Sequence, residues 1–282
     1  MARFRAMGSP CEVLVDSAHE QLAQAVASAV AACAQRIEQK YSRYRDDSVL
    51  THINREAGSP TEVDEETARL LDFAEQAWRL SDGKFDITSG VLRRAWTFDG
   101  GTRQRRDPVL REVLPLVGWS RVRWNRPWLT LRPGMEIDFG GIGKEYAVDL
   151  ALAEATRLGT DPVLVNFGGD LAASAPQRDG RAWRVGVEGV STAHIPWTLE
   201  LSHGALATSG DTHRYVIEDG ERRPHILDPR TGEPVRGAPH SVTVAAPTCV
   251  QAGLLCTLAM LEGAGAEAFL ERERVRHWVQ RD

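Results

Sequence analysis

Hydrophobic and polar positions alternate along Cys11–Asp16, the two-residue period of a strand with one buried face. From Glu20 to Lys40 the period lengthens. Leu22, Val26, Ala29, Cys33 and Ile37 recur at intervals of three and four, which predicts an amphipathic helix facing a core. The stretch YSRYRDDSVLTHIN that follows is polar with a few aromatics and reads as a loop plus a short helix. A second helix is predicted over Asp64–Leu80, with Leu70, Leu71, Ala74 and Trp78 on one side and Asp82-Gly83 as the stop. Lys84–Ser89 (KFDITS) reads as short and extended, Gly100–Asp107 as a mobile loop, and Val122–Leu131 as a hairpin. Tyr146–Leu158 is helical and closes at Gly159.

Beyond that point strand patterns dominate. Pro162–Asn166 is a compact apolar strand running into FGGD, followed by WRVGVE, WTLEL, HRYVIE and HSVTVAA. Turn residues such as Asp219-Gly220 and Thr231-Gly232 separate them. A helix over Val250–Leu261 and a shorter one to about Arg272 end the chain. Helices cluster and strands cluster, so the expected class is α+β, with mixed, largely antiparallel sheets and packed helices, rather than a regular βαβ series. The 282 residues suit one domain with room for two closely packed subdomains.

A hydrophobic content of 42% with 26% charged residues is that of an ordinary globular protein able to bury a sizeable core. The net charge of −5 argues against broad nucleic-acid binding. The basic clusters Arg103, Arg105, Arg106 and Arg121, Arg123, Arg126 lack aromatic interleaving and read as solvated faces, so no nucleic-acid partner is expected. The four cysteines form no C-x-x-C pair, which suits a reducing compartment. MARFRAMGSPCEVLVD has neither the apolar core of a signal peptide nor a lipoprotein-type cysteine after one. Val242–Leu261 is broken by Pro247 and Gln251, so no membrane span is expected and the location is read as cytoplasmic.

Candidate chemistry gathers where strands end or turns form: GKFDIT, DFGGIGK, NFGGD, ATSGDTHRY and HILDPRTGEP. Each pairs glycine with an acid or a hydroxyl, a combination that also serves ordinary turns. The densest is EIDFGGIGKEYAVD, with Asp138, Gly140, Gly141, Gly143 and Lys144 at the mouth of a helix. Glycines admit a close neighbour, a helix start offers free N–H groups to an anion, and lysine adds charge. The spacing is neither a P-loop nor G-x-G-x-x-G, and a strand-to-helix turn kept for packing explains it too. Asp86 reads as a capping acid. His225 ends an extended segment before Asp228-Pro229, and its near-neutral pKa suits either a general base or an ordinary satisfied histidine. Asp211 and His213 beside Thr208 and Ser209 hint at a hydroxyl nucleophile, but no G-x-S-x-G elbow supports one.

Taken in order, MGSPCEV, SRYRDDSVLTHIN, GKFDITSG followed by Trp96, DFGGIGKEYAVD, VNFGGD, ALATSGD, HILDPRTGEP and SVTVAAP resemble the FAD:protein FMN transferases, the ApbE-type family. The resemblance covers nearly the whole chain and implies that family's α+β fold. It also implies FAD as substrate, Mg2+ as cofactor, and transfer of the FMN moiety to a threonine of an acceptor protein, with AMP released. By position it implies that Met7, Tyr44, Lys84, Phe85, Asp86, Asp138, Lys144, Ile226 and Leu227 line the flavin nucleotide. His225 is then the catalytic histidine, and a main-chain oxygen near Gly141 and the Thr257 hydroxyl help hold the metal. Two departures stand out. The family's lysine-glycine step is Lys144-Glu145 here, and Gly253 occupies the place of an acid four residues before Thr257. The expectations are that Glu145 points away from the phosphate site. Water, Asp211 or Asp228 would fill in for the missing acid, and Mg2+ would bind weakly before FAD arrives. Two other activities fit the same fold: an FAD-binding protein without transfer, and an FAD pyrophosphatase giving FMN and AMP.

Overall fold

The computed structural model describes residues 1–101, 104–105, 107–187, 189, 197–211, 214–218 and 220–281. Arg103, Arg106, Glu188, His213 and Asp219, which figure in the sequence reading, lie outside the described residues. Seven strands make the main sheet: β1 (Ala2–Ala6), β2 (Ser9–Val15), β3 (Val163–Phe167), β4 (Asp170–Ala173), β5 (Gly204–Gly210), β6 (Ser241–Ala246) and β7 (Arg276–Gln280). Their spatial order is their chain order, and every neighbouring pair is antiparallel, so the fold is α+β around an antiparallel meander.

Most helices enter between β2 and β3: α1 (Glu20–Tyr41), α2 (Val49–Arg55), α3 (Glu65–Leu80), α4 (Asp107–Val113) and α5 (Gly143–Leu158). Later come α6 (Cys249–Leu261) and α7 (Ala266–Arg272). The three-and-four spacing in α1 buries Val26, Val30, Cys33 and Ile37. α3 starts where the Asp64 side chain accepts the amides of Glu66 and Thr67, so an oxygen satisfies donors that the helix leaves open. α1, α5 and α6 cover one face of the sheet, with Val148, Ala151, Val165, Ala207, Val244 and Cys256 in one apolar core. A hairpin of Trp183–Val187 with Trp197–Leu201 packs a second apolar cluster, including Leu164, Leu171 and Leu206, against strands β3 to β5. None of the helices among the described residues is long and apolar enough to cross a membrane.

Register fixes which turns meet. Cys11 pairs with Phe167, and the Gly168 amide bonds the Pro10 carbonyl at 2.9 Å. The β1–β2 turn at Met7-Gly8 and the β3–β4 turn at Gly168-Gly169 therefore lie at the same end of the sheet. Asp149 of α5 accepts the amides of Cys249 and Val250 at 2.7 and 2.9 Å, which fixes the start of α6 against α5.

Three sequence expectations are corrected. KFDITS is not an extended segment: Asp86 caps a 3-10 helix over Ile87–Arg94 by accepting the Thr88 amide at 2.8 Å. Ala207–Gly210 of the ATSGD stretch is not a turn but lies inside β5, with Thr208 Oγ1 bonded to Thr243 Oγ1 of β6 at 2.9 Å. Within Gly100–Asp107, Gln104–Arg105 pairs as a short strand with Trp96–Thr97.

Candidate functional site

α5 begins without a side-chain cap: Ile142 stands at the N-cap position and offers no acceptor. The preceding turn is built for proximity, not for unusual dihedrals, since none of Gly140, Gly141 and Gly143 has positive φ. A Cβ on Gly141 would sit 3.1 Å from the Phe85 ring, and one on Gly140 would sit 3.2 Å from Asp138 Oδ1. Left-handed glycines occur instead at Gly168 (φ 63°) and Gly169 (φ 97°) of the NFGGD turn. There a Cβ on Gly168 would meet Ser9 Cβ at 2.6 Å and approach Lys144 Nζ at 3.8 Å. Met7 itself is left-handed, with φ 51° in the β1–β2 turn, a strained conformation for a residue with a side chain.

Lys144 Nζ lies 2.5 Å from Asp170 Oδ2. Asp170 is buried, and its Oδ1 accepts the Thr208 amide at 3.0 Å. Burial alone would lower the Lys144 pKa, but the charges of Asp170 and Glu145 outweigh it and hold the ammonium above its ordinary value. The acid of the NFGGD motif is thus the internal partner of the lysine of the α5 motif.

Asp138 pairs with the Arg43 guanidinium, and its Oδ1 accepts the Gly140 amide at 2.8 Å. Arg43 also donates to Tyr44 Oη at 2.9 Å and lies over the Tyr44 ring, 5.0 Å from its centroid. Tyr44 is 81% exposed, an uncommon state for a large aromatic and one that leaves its ring available to a flat ligand. Arg43 sits in the quoted SRYR stretch, yet sequence reasoning passed over it.

His225 is half-buried. Its ring lies edge-on to Phe98, and its Nδ1 is 3.2 Å from the Arg214 carbonyl. With Nδ1–H donating to that carbonyl, Nε2 keeps its lone pair. Burial, followed by the positive charges of Arg214 and Arg43, pushes the His225 pKa down to about 4. The ring is therefore neutral at physiological pH. Ile226 and Leu227 continue the segment: the Ile226 carbonyl accepts the Val235 amide at 3.1 Å, and Leu227 bridges to Pro234.

Two other candidates are engaged elsewhere. Both Asp86 oxygens serve the fold, Oδ1 with the Thr88 amide and hydroxyl and Oδ2 with the Trp119 amide. Lys84 Nζ is tied to Glu262, 2.6 Å away beyond the end of α6. Among the acids expected to stand in at position 253, Asp211 is buried against Arg222 and 3.0 Å from His240 Nδ1. Asp228 accepts the Arg230 amide within its own turn. Glu145 turns toward α6. It is buried against Gly253, and burial followed by the charge of Asp170 raises its pKa against the pull of Lys144. The two departures from the family pattern were legible only as single, unconnected residues; a bulky side chain gained at 145 and one lost at 253 is the signal that they compensate, and the contact itself shows only in the fold.

The ApbE family pattern matches residues 7–278. The FAD:protein FMN transferase of Chlamydia pneumoniae is 31% identical over 245 residues, spanning 84% of this chain and 76% of that protein. The FAD:protein FMN transferase of Haemophilus influenzae is 27% identical over 234 residues, 78% of this chain and 68% of its own. Among solved structures, the ApbE protein of Thermotoga maritima superposes with a TM-score of 0.89 at 31% identity, covering 99% of this chain and 93% of that one. The apo flavinyl transferase ApbE of Pseudomonas stutzeri gives 0.87 at 28% identity, covering 99% and 89%.

Proposed function

The chain belongs to the ApbE family, and from that premise we propose that it is a flavin transferase. It moves the FMN moiety of FAD to a threonine hydroxyl of an acceptor protein and releases AMP. The observation that carries this reading is the start of α5, which has no side-chain cap and sets Lys144 directly after the close-packed glycine turn that contacts Asp138 and Phe85.

In this reading the FAD diphosphate lies against the α5 N-terminus. The helix amides and Lys144 there offset its charge, and they are already oriented before the ligand arrives. Met7, Phe85, Ile226 and Leu227 supply apolar contact, and Tyr44, backed by Arg43, offers a ring face. Asp138, held by Arg43, accepts a hydrogen bond from a ribose, ribityl or adenine donor. His225 is neutral with Nε2 free and takes the proton of the incoming threonine hydroxyl. The threonine oxygen bonds to the FMN phosphorus as the diphosphate bond breaks, and AMP leaves with the bridging oxygen. Phosphoryl transfer of this kind depends chiefly on positioning and on neutralising the oxygens in flight. Lys84 and Asp86 shape the surrounding turn in this reading, since their charged ends are bound within the protein.

A divalent cation fits the same region. The Gly141 carbonyl and the Thr257 hydroxyl are hard oxygen donors, and Glu145, which packs against Gly253 one helical turn before Thr257, has a buried carboxylate oxygen, Oε2, with no hydrogen-bond partner among the described residues. When bound, Mg2+ would supply further charge neutralisation to the diphosphate oxygens.

Flavin fluorescence quenching tests the placement of the diphosphate. FAD is expected to bind more tightly than riboflavin, and equal affinities would remove the α5 turn from the site.

A further inference from the structure

Glu145 is 7% exposed in the first turn of α5, and it lies against α6. A Cβ built on Gly253 would stand 2.5 Å from Glu145 Cγ, 2.9 Å from Oε1 and 3.0 Å from Cδ. Every other residue at 253 would displace this side chain. Thr257 is one helical turn beyond Gly253, on the same face of α6. The Glu145 carboxylate thus occupies the space that a side chain from 253 would enter, next to the helix face that carries Thr257.

We propose that Glu145 is the carboxylate ligand of the cation site, delivered from α5 across the opening that Gly253 leaves in α6. The inference rests on the reading that a divalent cation accompanies FAD between these helices. It replaces the expectation of a site short of one negative charge, because a carboxylate enters from the opposite helix. Structural need alone does not account for Glu145. A buried carboxylate oxygen without a partner costs stability, and the nearby Lys144 already has Asp170 at 2.5 Å. A hard cation satisfies such an oxygen where the surrounding side chains do not.

The test is direct binding of Mn2+ followed by electron paramagnetic resonance, with the full chain and with and without FAD. Three variants are compared with the wild type: Glu145→Gln, Gly253→Asp, and the exchanged pair Glu145→Gly with Gly253→Asp. Glu145→Gln keeps the shape and removes the charge. Mn2+ affinity should fall at least about tenfold without loss of thermal stability. Gly253→Asp alone crowds Glu145 and should lower the melting temperature. The exchanged pair relieves the crowding, returns one carboxylate from α6, and should recover Mn2+ affinity to within about threefold of wild type. Unchanged Mn2+ affinity in Glu145→Gln, failure of the exchanged pair to recover binding, or no Mn2+ binding by the wild type in either state overturns the proposal. FAD affinity of the metal-free wild type, measured in parallel by fluorescence quenching, separates the two readings. FAD binding with Mn2+ indifferent to Glu145 sinks only the ligand assignment, whereas a wild type that does not bind FAD sinks the functional reading itself.

Discussion

Replacing Lys144 should unsettle the fold as well as the site, and a second substitution separates the two effects. Lys144→Met removes the ammonium 2.5 Å from Asp170, whose side chain is 2% exposed. Breaking a buried ion pair by deleting one partner costs about 3–5 kcal/mol, because the other charge is left desolvated. Lys144 is 27% exposed, so water shares part of its charge and the loss belongs below that range, at about 2–3 kcal/mol. For a domain of this size each kcal/mol moves the melting temperature by about 2–4 °C, giving a drop of about 4–12 °C. Asp170→Asn in the Lys144→Met background removes the stranded charge, and its amide oxygen still accepts the Thr208 amide, now 3.0 Å from Asp170 Oδ1. The double variant should recover to within about 1 kcal/mol of wild type, while FAD affinity stays low because the cation facing the diphosphate is still missing. Urea unfolding of all four members of the cycle, with flavin fluorescence titration of each, gives both quantities. A Lys144→Met variant within about 0.5 kcal/mol of wild type, or an Asp170→Asn change that deepens the loss, would refute the reasoning.

Three further outcomes are expected. His225→Ala should bind FAD nearly as wild type but transfer flavin about 10²–10⁴-fold more slowly, and the acid limb of the wild-type kcat/KM profile should lie near pH 4, not 6.5, because His225 is held neutral down to about 4; wild-type turnover by the variant, or a limb at the ordinary histidine value, counts against it. Glu66 is gripped first by Arg36, then by Lys40 and the Tyr146 hydroxyl, and its pKa is lowered from 4.5 to about 2. Its stabilisation is complete above the unfolded value and lost as pH falls through the folded one, so the stability advantage of wild type over Glu66→Gln in urea should shrink by more than half between pH 6 and pH 3. Gly168→Ala forces a side chain into a left-handed conformation and onto Ser9 at 2.6 Å, a loss of about 2–4 kcal/mol by urea unfolding; Gly169→Ala meets nothing within 4 Å and should cost less.

Much of this was legible in the sequence because local chemistry and tertiary packing agree. The α1 stripe faces the core where its spacing places it, and Asp64 caps α3 at the predicted start. The reading failed where a single side chain redirects the backbone. In KFDITS, Ile87 and Thr88 favour a strand, yet the Asp86 carboxylate captures the Thr88 amide and winds the segment into a 3-10 helix. The edge strands Ala2–Ala6 and Arg276–Gln280 went unread, since five residues with few buried positions carry little period. At the site, DFGGIGK correctly marked a place of close approach, but its glycines serve Phe85 and Asp138 contacts and not positive φ. The pairings Lys144–Asp170, Arg43–Asp138 and Glu145–Gly253 join residues 26, 95 and 108 positions apart, as their numbering shows, and only the fold brings them together.

The central claim is that FAD is consumed by transfer to protein. The most direct measurement is to incubate the pure chain with FAD, Mg2+ and an acceptor protein carrying the family's threonine motif. Denaturing-gel fluorescence and intact mass of the acceptor then give the answer. The account predicts a fluorescent acceptor band, a mass increase of one FMN less one water, and AMP released in equal amount. Free FMN with an unmodified acceptor, or intact FAD after prolonged incubation across a panel of such acceptors, would contradict it.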